Sequence, residues 1–267
     1  MSDEKIKNFI ETGAEMSGGA IGGAIGFLLG GPAGAIIGGG AGPLITKGAK
    51  KILGDLANRH MSHKEIERVG AVAAIALNKI KNKLENGEKL RNDNFFSEDA
   101  SKRSSAEEIF EGILQKSRNS YEEKKVKFLG NFFANLAFIQ NVSIGEANCY
   151  LNLIDSLSYR QICTLALLLA KDRLNPPAIL RQNNYSNVPG LSYELISLLQ
   201  EIFSLYTNSI IKCKKKSGNG HVALLSWIDI VPNNLELTFT GKRFSILLGS
   251  LEEIEANDFN NIIKLLR

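Results

Sequence analysis

The chain has 267 residues, of which 44% are hydrophobic and 22% are charged, so it is long enough and apolar enough to fold around a substantial core. Its net charge of +4 is too small for a protein that coats nucleic acid. Three well-separated cysteines fit reduced core thiols better than a disulfide framework.

The first fifteen residues are acidic, with a net charge of −2, and do not have the basic start of a secretory signal. The next 31 residues, Met16 to Thr46, carry no charge, and 12 of them are glycine. Seven of these glycines fall on every fourth position and form what we call the glycine ladder: Gly18, Gly22, Gly26, Gly30, Gly34, Gly38 and Gly42.

Small residues at helical spacing let helix backbones approach closely, and in lipid this close approach drives helix association. A helix of 31 residues would be about 46 Å long, enough to cross a bilayer core of about 30 Å. Pro32 interrupts the pattern, so a helical hairpin and a single kinked helix both remain open. A tightly packed helix inside a soluble fold and a plain linker are the other interpretations.

Positive charge follows the ladder. Residues 47 to 59 have a net charge of +3, from four basic residues and one acidic residue. By the positive-inside rule the C-terminal side stays in the cytoplasm, which predicts an inner-membrane protein with a cytoplasmic body. A protein that stays in the cytoplasm until it is triggered is also consistent with the sequence. We assign residues 1–60 to the membrane-active segment and its flanks.

Residues 61–172 are predicted to form a helical body, because the pattern of a capping box, a Ser with Glu or Gln three residues later, recurs through it. A polar stretch at about 88–103 is predicted to be a linker or exposed loop and a domain boundary. The helix starts are predicted at Ser62, Ser105, Ser120, Ser143 and Ser158, and Gly87 is predicted to end the first helix.

Residues 173–267 are predicted to form a small winged-helix-like α+β module. A helix is expected over 192–206, and β-rich runs follow at 210–212, 222–227 and 235–238. The last predicted segment, 240–251, is amphipathic, with Leu251 among its inward residues. The fold class is therefore mainly α with a small sheet.

A dense basic run lies in this module and consists of Lys212, Lys214, Lys215 and Lys216. Lysines on a wing would contact phosphates and add salt-dependent affinity for nucleic acid. The alternative is a solvated strand edge, where lysines discourage unwanted pairing.

Residue patterns for catalysis are missing from the sequence. No Gly-Lys-Ser/Thr follows the ladder, so it does not predict a phosphate-binding loop. His60 and His63 have no neighbouring ligands that would complete a metal site. Glu107, Glu108, Glu122 and Glu123 fall in first helical turns, where carboxylates suit the helix dipole. We expect a non-enzyme without a cofactor or metal.

The stretch GGAIGGAIGFLLGGPAGAIIGGGAG resembles the glycine-zipper segments of bacterial membrane-active proteins, including pore-forming toxins and some phage-defence effectors. The layout of capped helices followed by a winged-helix-like module is similar to bacterial abortive-infection proteins. The resemblance implies an effector that inserts into the bilayer, assembles with further copies of itself and permeabilises the inner membrane, with a sensor or regulatory protein as a further partner. The alternative is a regulator that binds nucleic acid or a protein through the C-terminal module.

Overall fold

The computed structural model describes residues 48, 49, 51–53, 55, 56, 59–98, 103–171, 179–215 and 220–267. The chain divides into two compact units, one ending at Ser156 and the other beginning at Leu157. The sequence-based division differs, because it places the helix after Ser158 with the helical body. The described residues are mainly helical, with a small antiparallel sheet near the C-terminus, as the sequence predicts.

The first unit is helical. The described residues between 48 and 56 are in helical conformation and come first. The helices that follow are α1 (His63–Glu85), α2 (Ser105–Asn119), α3 (Val126–Leu136) and α4 (Ile144–Ser156), with 3₁₀ turns at Asn94–Phe96 and Glu123–Lys125.

Helix α1 is the central helix of this unit. Every residue from Val69 to Leu77 is buried, so the helix is enclosed on all sides. Helix α3 approaches it closely at Gly130, where an added Cβ would lie 2.8 Å from Ile75 Cγ2 and 3.0 Å from the Val72 carbonyl oxygen. The sequence predicts one apolar stripe on α1, and the observed burial is wider because small residues cover the remaining faces.

Several predicted helix starts are confirmed. Ser62 and Ser158 each form a complete capping box, and the Ser143 Oγ accepts a hydrogen bond of 3.1 Å from the Glu146 N–H. In α2 the cap is Ser104 with Glu107, one residue before the predicted position. Ser120 does not begin a helix: it is the C-cap of α2, and α3 begins only at Val126.

The polar stretch at 88–98 is a mainly exposed loop, one of the two predicted alternatives, but it lies within the first unit and marks no boundary between units. Arg91 is buried, pairs with Asp93 and donates hydrogen bonds to the carbonyls of Val142 at 2.9 Å and Leu136 at 3.4 Å. Phe95 and Phe96 are buried behind it. Three inward side chains therefore fix a segment whose average composition is polar.

The second unit combines helices with the sheet. Its helices are α5 (Tyr159–Ala170), α6 (Tyr193–Thr207), α7 (Phe239–Leu248), α8 (Ser250–Glu253) and α9 (Ala256–Leu266), and its strands are β1 (Ile211–Lys214), β2 (His221–Val222) and β3 (Leu235–Leu237), with 3₁₀ turns at Trp227–Asp229 and Pro232–Asn234. The strand order is β2-β1-β3, all antiparallel, with Lys212 opposite Glu236.

Three details of this unit differ from the sequence-based predictions. The strand predicted at 222–227 stops at Val222, and the Asp229 carboxylate accepts hydrogen bonds from the backbone N–H groups of Leu225 and Ser226 at 3.0 and 2.9 Å, holding a turn there. Leu251 is 38% exposed, because Gly249 in the left-handed conformation ends α7 before it. Helix α9 was not predicted.

Candidate functional site at the base of the glycine ladder

The seven glycines of the ladder, Gly18 to Gly42, lie outside the described residues, as does Lys216 of the basic run. The structure instead describes where the chain meets the body after the ladder. We call the helical residues 48, 49, 51–53, 55 and 56 the anchor.

The anchor is part of the core of the first unit. Leu53 and Leu56 are each 1% exposed, and Ala49 and Ile52 are also buried. Lys51 and Asp55 are exposed, so the segment is amphipathic. The chain is therefore fixed in the body within six residues of Gly42, the last glycine of the ladder.

Contacts of the anchor follow helix α2. A Cβ on Gly48 would lie 2.9 Å from Glu107 Cγ, so a larger residue here would require the Glu107 side chain to shift. Further along, Arg59 lies 3.4 Å from the Glu111 carboxylate, and Arg118 donates a hydrogen bond of 3.4 Å to the His60 carbonyl. Because these contacts progress in the same direction along both segments, the described residues between 48 and 60 run in the same direction as α2.

A charged cluster covers the outer side of this contact. Glu111 accepts hydrogen bonds from Arg59, from Arg103 and, at 3.0 Å, from the Gln115 side chain. Arg103 also donates to the Glu107 carbonyl at 3.3 Å. Partial burial opposes ionisation of Glu111, but the Arg103 and Arg59 guanidinium groups outweigh it and hold its pKa below the ordinary value.

A cleft of about 90 Å³ lies within the cluster, between the anchor and α2. It is lined by Lys51, Ile52, Asp55, Arg103, Glu107 and Glu111. A smaller cavity of about 20 Å³ beneath it is mainly apolar and reaches Phe110 and Phe133. The contact therefore has an apolar inner side and a charged outer side that solvent reaches.

Sequence reasoning did not identify this cluster. Glu107 was assigned a capping role, which is confirmed, since its carboxylate accepts a hydrogen bond of 3.0 Å from the Ser104 N–H. Its additional contact with Gly48 was not foreseen. The spacing of Glu107 and Glu111, four residues apart on one face of α2, was the available signal.

Two lysines of the basic run lie close to an acidic side chain. Lys214 pairs with Glu236, and Lys212 Nζ lies 4.0 Å from the same carboxylate. Partial burial opposes ionisation of Glu236, but the Lys214 ammonium outweighs it, so the pKa of Glu236 lies below its usual value. Lys212 and Lys214 lie on β1, the central strand of the described sheet, and not on an edge, whereas Lys215 follows the strand.

His63 and the three cysteines are the other residues that the sequence analysis considered. His63 Nδ1 lies 3.0 Å from Glu67, and in the described part of the chain no group of His, Cys, Asp or Glu side chains is arranged to hold a metal ion. Cys163 and Cys213 are buried as predicted, but Cys149 is exposed, contrary to the expectation of three core thiols.

No single helix among the described residues combines the length and the apolar character needed to cross a membrane. Comparison of the chain with known protein families, with curated proteins and with solved structures finds no match.

Proposed function

We propose that this protein is a membrane-active effector whose glycine ladder inserts into the bacterial inner membrane, assembles with other copies and makes the membrane permeable. Arrest of an infected cell in phage defence is the outcome that we propose for this activity. The proposal rests mainly on one observation, the uncharged run of 31 residues with a glycine at every fourth position.

The energetics of insertion favour assembly over a lone anchor. Nine large apolar side chains in residues 16–46 contribute about 3 to 5 kcal/mol in favour of insertion, and the glycines and prolines offset part of this. Insertion of one copy is then marginal. Contacts between copies along the ladder supply the remaining free energy, so insertion and assembly are coupled.

The short connection between the ladder and the folded body supports this proposal. Because Gly48 and Ala49 are already buried in the helical unit, no more than residues 43–47 separate the ladder from it. The proposal has two finer structural parts. The ladder forms a hairpin or a kinked helix, and the second unit has a winged-helix-like role.

Leucine substitutions in the ladder test the proposal. Gly26→Leu and Gly30→Leu place bulk where backbones would meet, and we expect them to abolish both cross-linked oligomers and leakage of the expressing cells. Ala24→Leu adds a similar side chain away from the ladder and serves as the matched control. Unchanged leakage from both glycine variants would refute the proposed mechanism.

A second function, binding of nucleic acid through the second unit, is favoured by one observation: Lys214 and Lys215 are exposed at the β1–β2 hairpin. The pairing of Lys214 with Glu236 reduces the charge available to phosphates. Lys214→Glu with Lys215→Glu tests it in a gel-shift titration. A steep salt dependence that is lost in this variant supports nucleic-acid binding, and an absence of binding eliminates it.

A further inference from the structure

We infer that the solvent-facing side of helix α7, with the turn that follows it, pairs with the same surface of a second copy of this chain. We call this surface the α7 face, and all of its residues are among those that the structure describes: Phe239, Lys242, Ile246, Leu251, Glu252 and Glu255. As a contribution to assembly the inference rests on the proposed function. As a contact between copies it can be measured without a membrane.

Large apolar side chains form an exposed row on the α7 face. Phe239 is 81% exposed and Ile246 is 55% exposed. They lie two turns apart on one side of the helix, so they are separated by about 10 Å along its axis. Leu251 follows closely, because the Ser250 hydroxyl donates a hydrogen bond of 3.3 Å to the Ser245 carbonyl and holds the turn against the end of α7. An apolar row of this kind on a folded unit indicates an interaction surface.

The opposite side of α7 is fixed in the core of the second unit. Phe244 and Leu247 are fully buried, and a Cβ on Gly241 would clash with the Ile210 carbonyl oxygen. The helix therefore cannot rotate to bury its exposed side within its own unit. The α7 face is a surface of a well-packed helix, and another molecule is needed to cover it.

The charge of the α7 face changes sign along its length. Lys242 is exposed in the half that begins at Phe239, whereas Glu252 and Glu255 are exposed at the other end. The acidic end would repel the phosphates of a lipid surface or of nucleic acid. A second copy related by a two-fold rotation would place the basic half of each face against the acidic end of the other. The charge pattern therefore favours a second copy of this chain as the partner.

The two-fold axis of this pairing passes near Ile246. Phe239 then packs towards Leu251 of the second copy, and Lys242 meets Glu252 of the second copy, with each contact made twice. A helix of ten residues and one turn is smaller than the roughly 800 Å² that each partner buries in a stable complex. The pairing is therefore weak in dilute solution and becomes stronger once copies are held close together.

The first test cross-links copies of the full-length chain in solution through introduced thiols. Ile246→Cys is made in a Cys149→Ser background, which removes the exposed native thiol, and is treated with a short bismaleimide. Leu225→Cys in the same background is the matched control, because Leu225 is 87% exposed but follows strand β2 and is not part of the α7 face. We expect the yield of cross-linked dimer from Ile246→Cys to exceed that of the control about tenfold, because pairing raises the local thiol concentration. Equal yields would overturn the pairing.

The second test exchanges the charges of the α7 face in the Ile246→Cys chain. Lys242→Glu in one variant, and Glu252→Lys with Glu255→Lys in another, place like charges opposite each other, and each is expected to lower the dimer yield about tenfold. An equal mixture of the two variants brings opposite charges together again. We expect the mixture to restore the yield, as dimers that contain one copy of each variant. A yield that Lys242→Glu leaves unchanged, or that mixing does not restore, would overturn the pairing.

Both cross-linking readouts are separate from the proposed function. If the parent chain causes no leakage of membranes, the proposed function fails, and the comparison of Ile246→Cys with Leu225→Cys still supports or overturns the pairing. A lipid surface is the other possible occupant of the α7 face. Absence of cross-linked dimer, together with binding to phosphatidylglycerol vesicles that Phe239→Ser abolishes, would assign the face to lipid and overturn the pairing.

Discussion

Three helical glycines of the first unit provide a graded test of its packing. Gly112, Gly130 and Gly145 lie in α2, α3 and α4, and alanine is the better helix former by up to about 1 kcal/mol at each position. The same substitution therefore brings a gain in helix propensity at all three sites, smaller at Gly145, which lies in the first turn of α4. Differences among the three alanine variants in the free energy of unfolding will report the contacts that the added methyl group makes.

The structure gives three different surroundings for that methyl group. At Gly145 the nearest atom is Ser143 Oγ at 4.0 Å, so the space is open. At Gly112 a Cβ would lie 2.9 Å from Leu151 Cδ2, the mobile end of a flexible side chain. At Gly130 it would lie 2.9 Å from Ile75 Cβ and 3.0 Å from the Val72 carbonyl oxygen, so rotation of a side chain cannot relieve the contact.

We therefore expect Gly145→Ala to raise the free energy of unfolding by about 0.5 kcal/mol, because it lies in the first helical turn and gains only part of the propensity difference. Gly112→Ala should change it little, since a shift of Leu151 costs about as much as the helix gains. Gly130→Ala should lower it by about 2 kcal/mol, from an overpacking cost of about 3 and a gain of about 1. Urea denaturation followed by circular dichroism measures all three, and a Gly130→Ala midpoint at or above that of the parent would refute the close approach of α1 and α3.

Two further predictions concern the first unit. Arg91→Ala should lower the free energy of unfolding by about 3 kcal/mol in the same denaturation assay, because the carbonyls of Leu136 and Val142 lose a buried donor; an effect below about 1 kcal/mol would contradict this role. The Ser62 N–H and the Arg118 guanidinium lower the pKa of Glu65 from 4.5 to about 2, so Glu65 contributes stability that is complete above pH 4.5 and is lost as the pH falls towards 2. The difference in stability between the parent and Glu65→Gln should shrink over this pH window, and a constant difference would contradict the assignment.

The features of the fold that could be predicted are those set by residues close together in the sequence. Ser62 and Ser158 begin helices because their hydroxyl groups satisfy backbone donors within three residues, and that chemistry is visible in the sequence. Gly87 follows the end of α1 with φ of +84°, a conformation that favours glycine. Ser120 shows the limit, since the same pattern there lies at the end of α2 and not at the start of a helix.

Long-range contacts could not be predicted. The polar stretch that contains Arg91 is mainly exposed, as its composition indicates, but the burial of Arg91 depends on carbonyls about 50 residues away. The charged cluster around Glu111 also depends on long-range contacts, because Arg59 and Arg103 meet on Glu111 only after α2 has packed beside the anchor. Helix α9 has no side-chain cap to mark its start and was missed, although its apolar residues follow a helical period.

The most direct test of the central claim is carbonate-washed membrane fractionation of the full-length protein beside a variant that lacks residues 16–46, with dye uptake by the expressing cells recorded in parallel. Our account predicts that the full-length protein stays with the membrane and admits dye, and that both properties vanish with the deletion. Membrane retention and dye uptake that persist without residues 16–46 would contradict it.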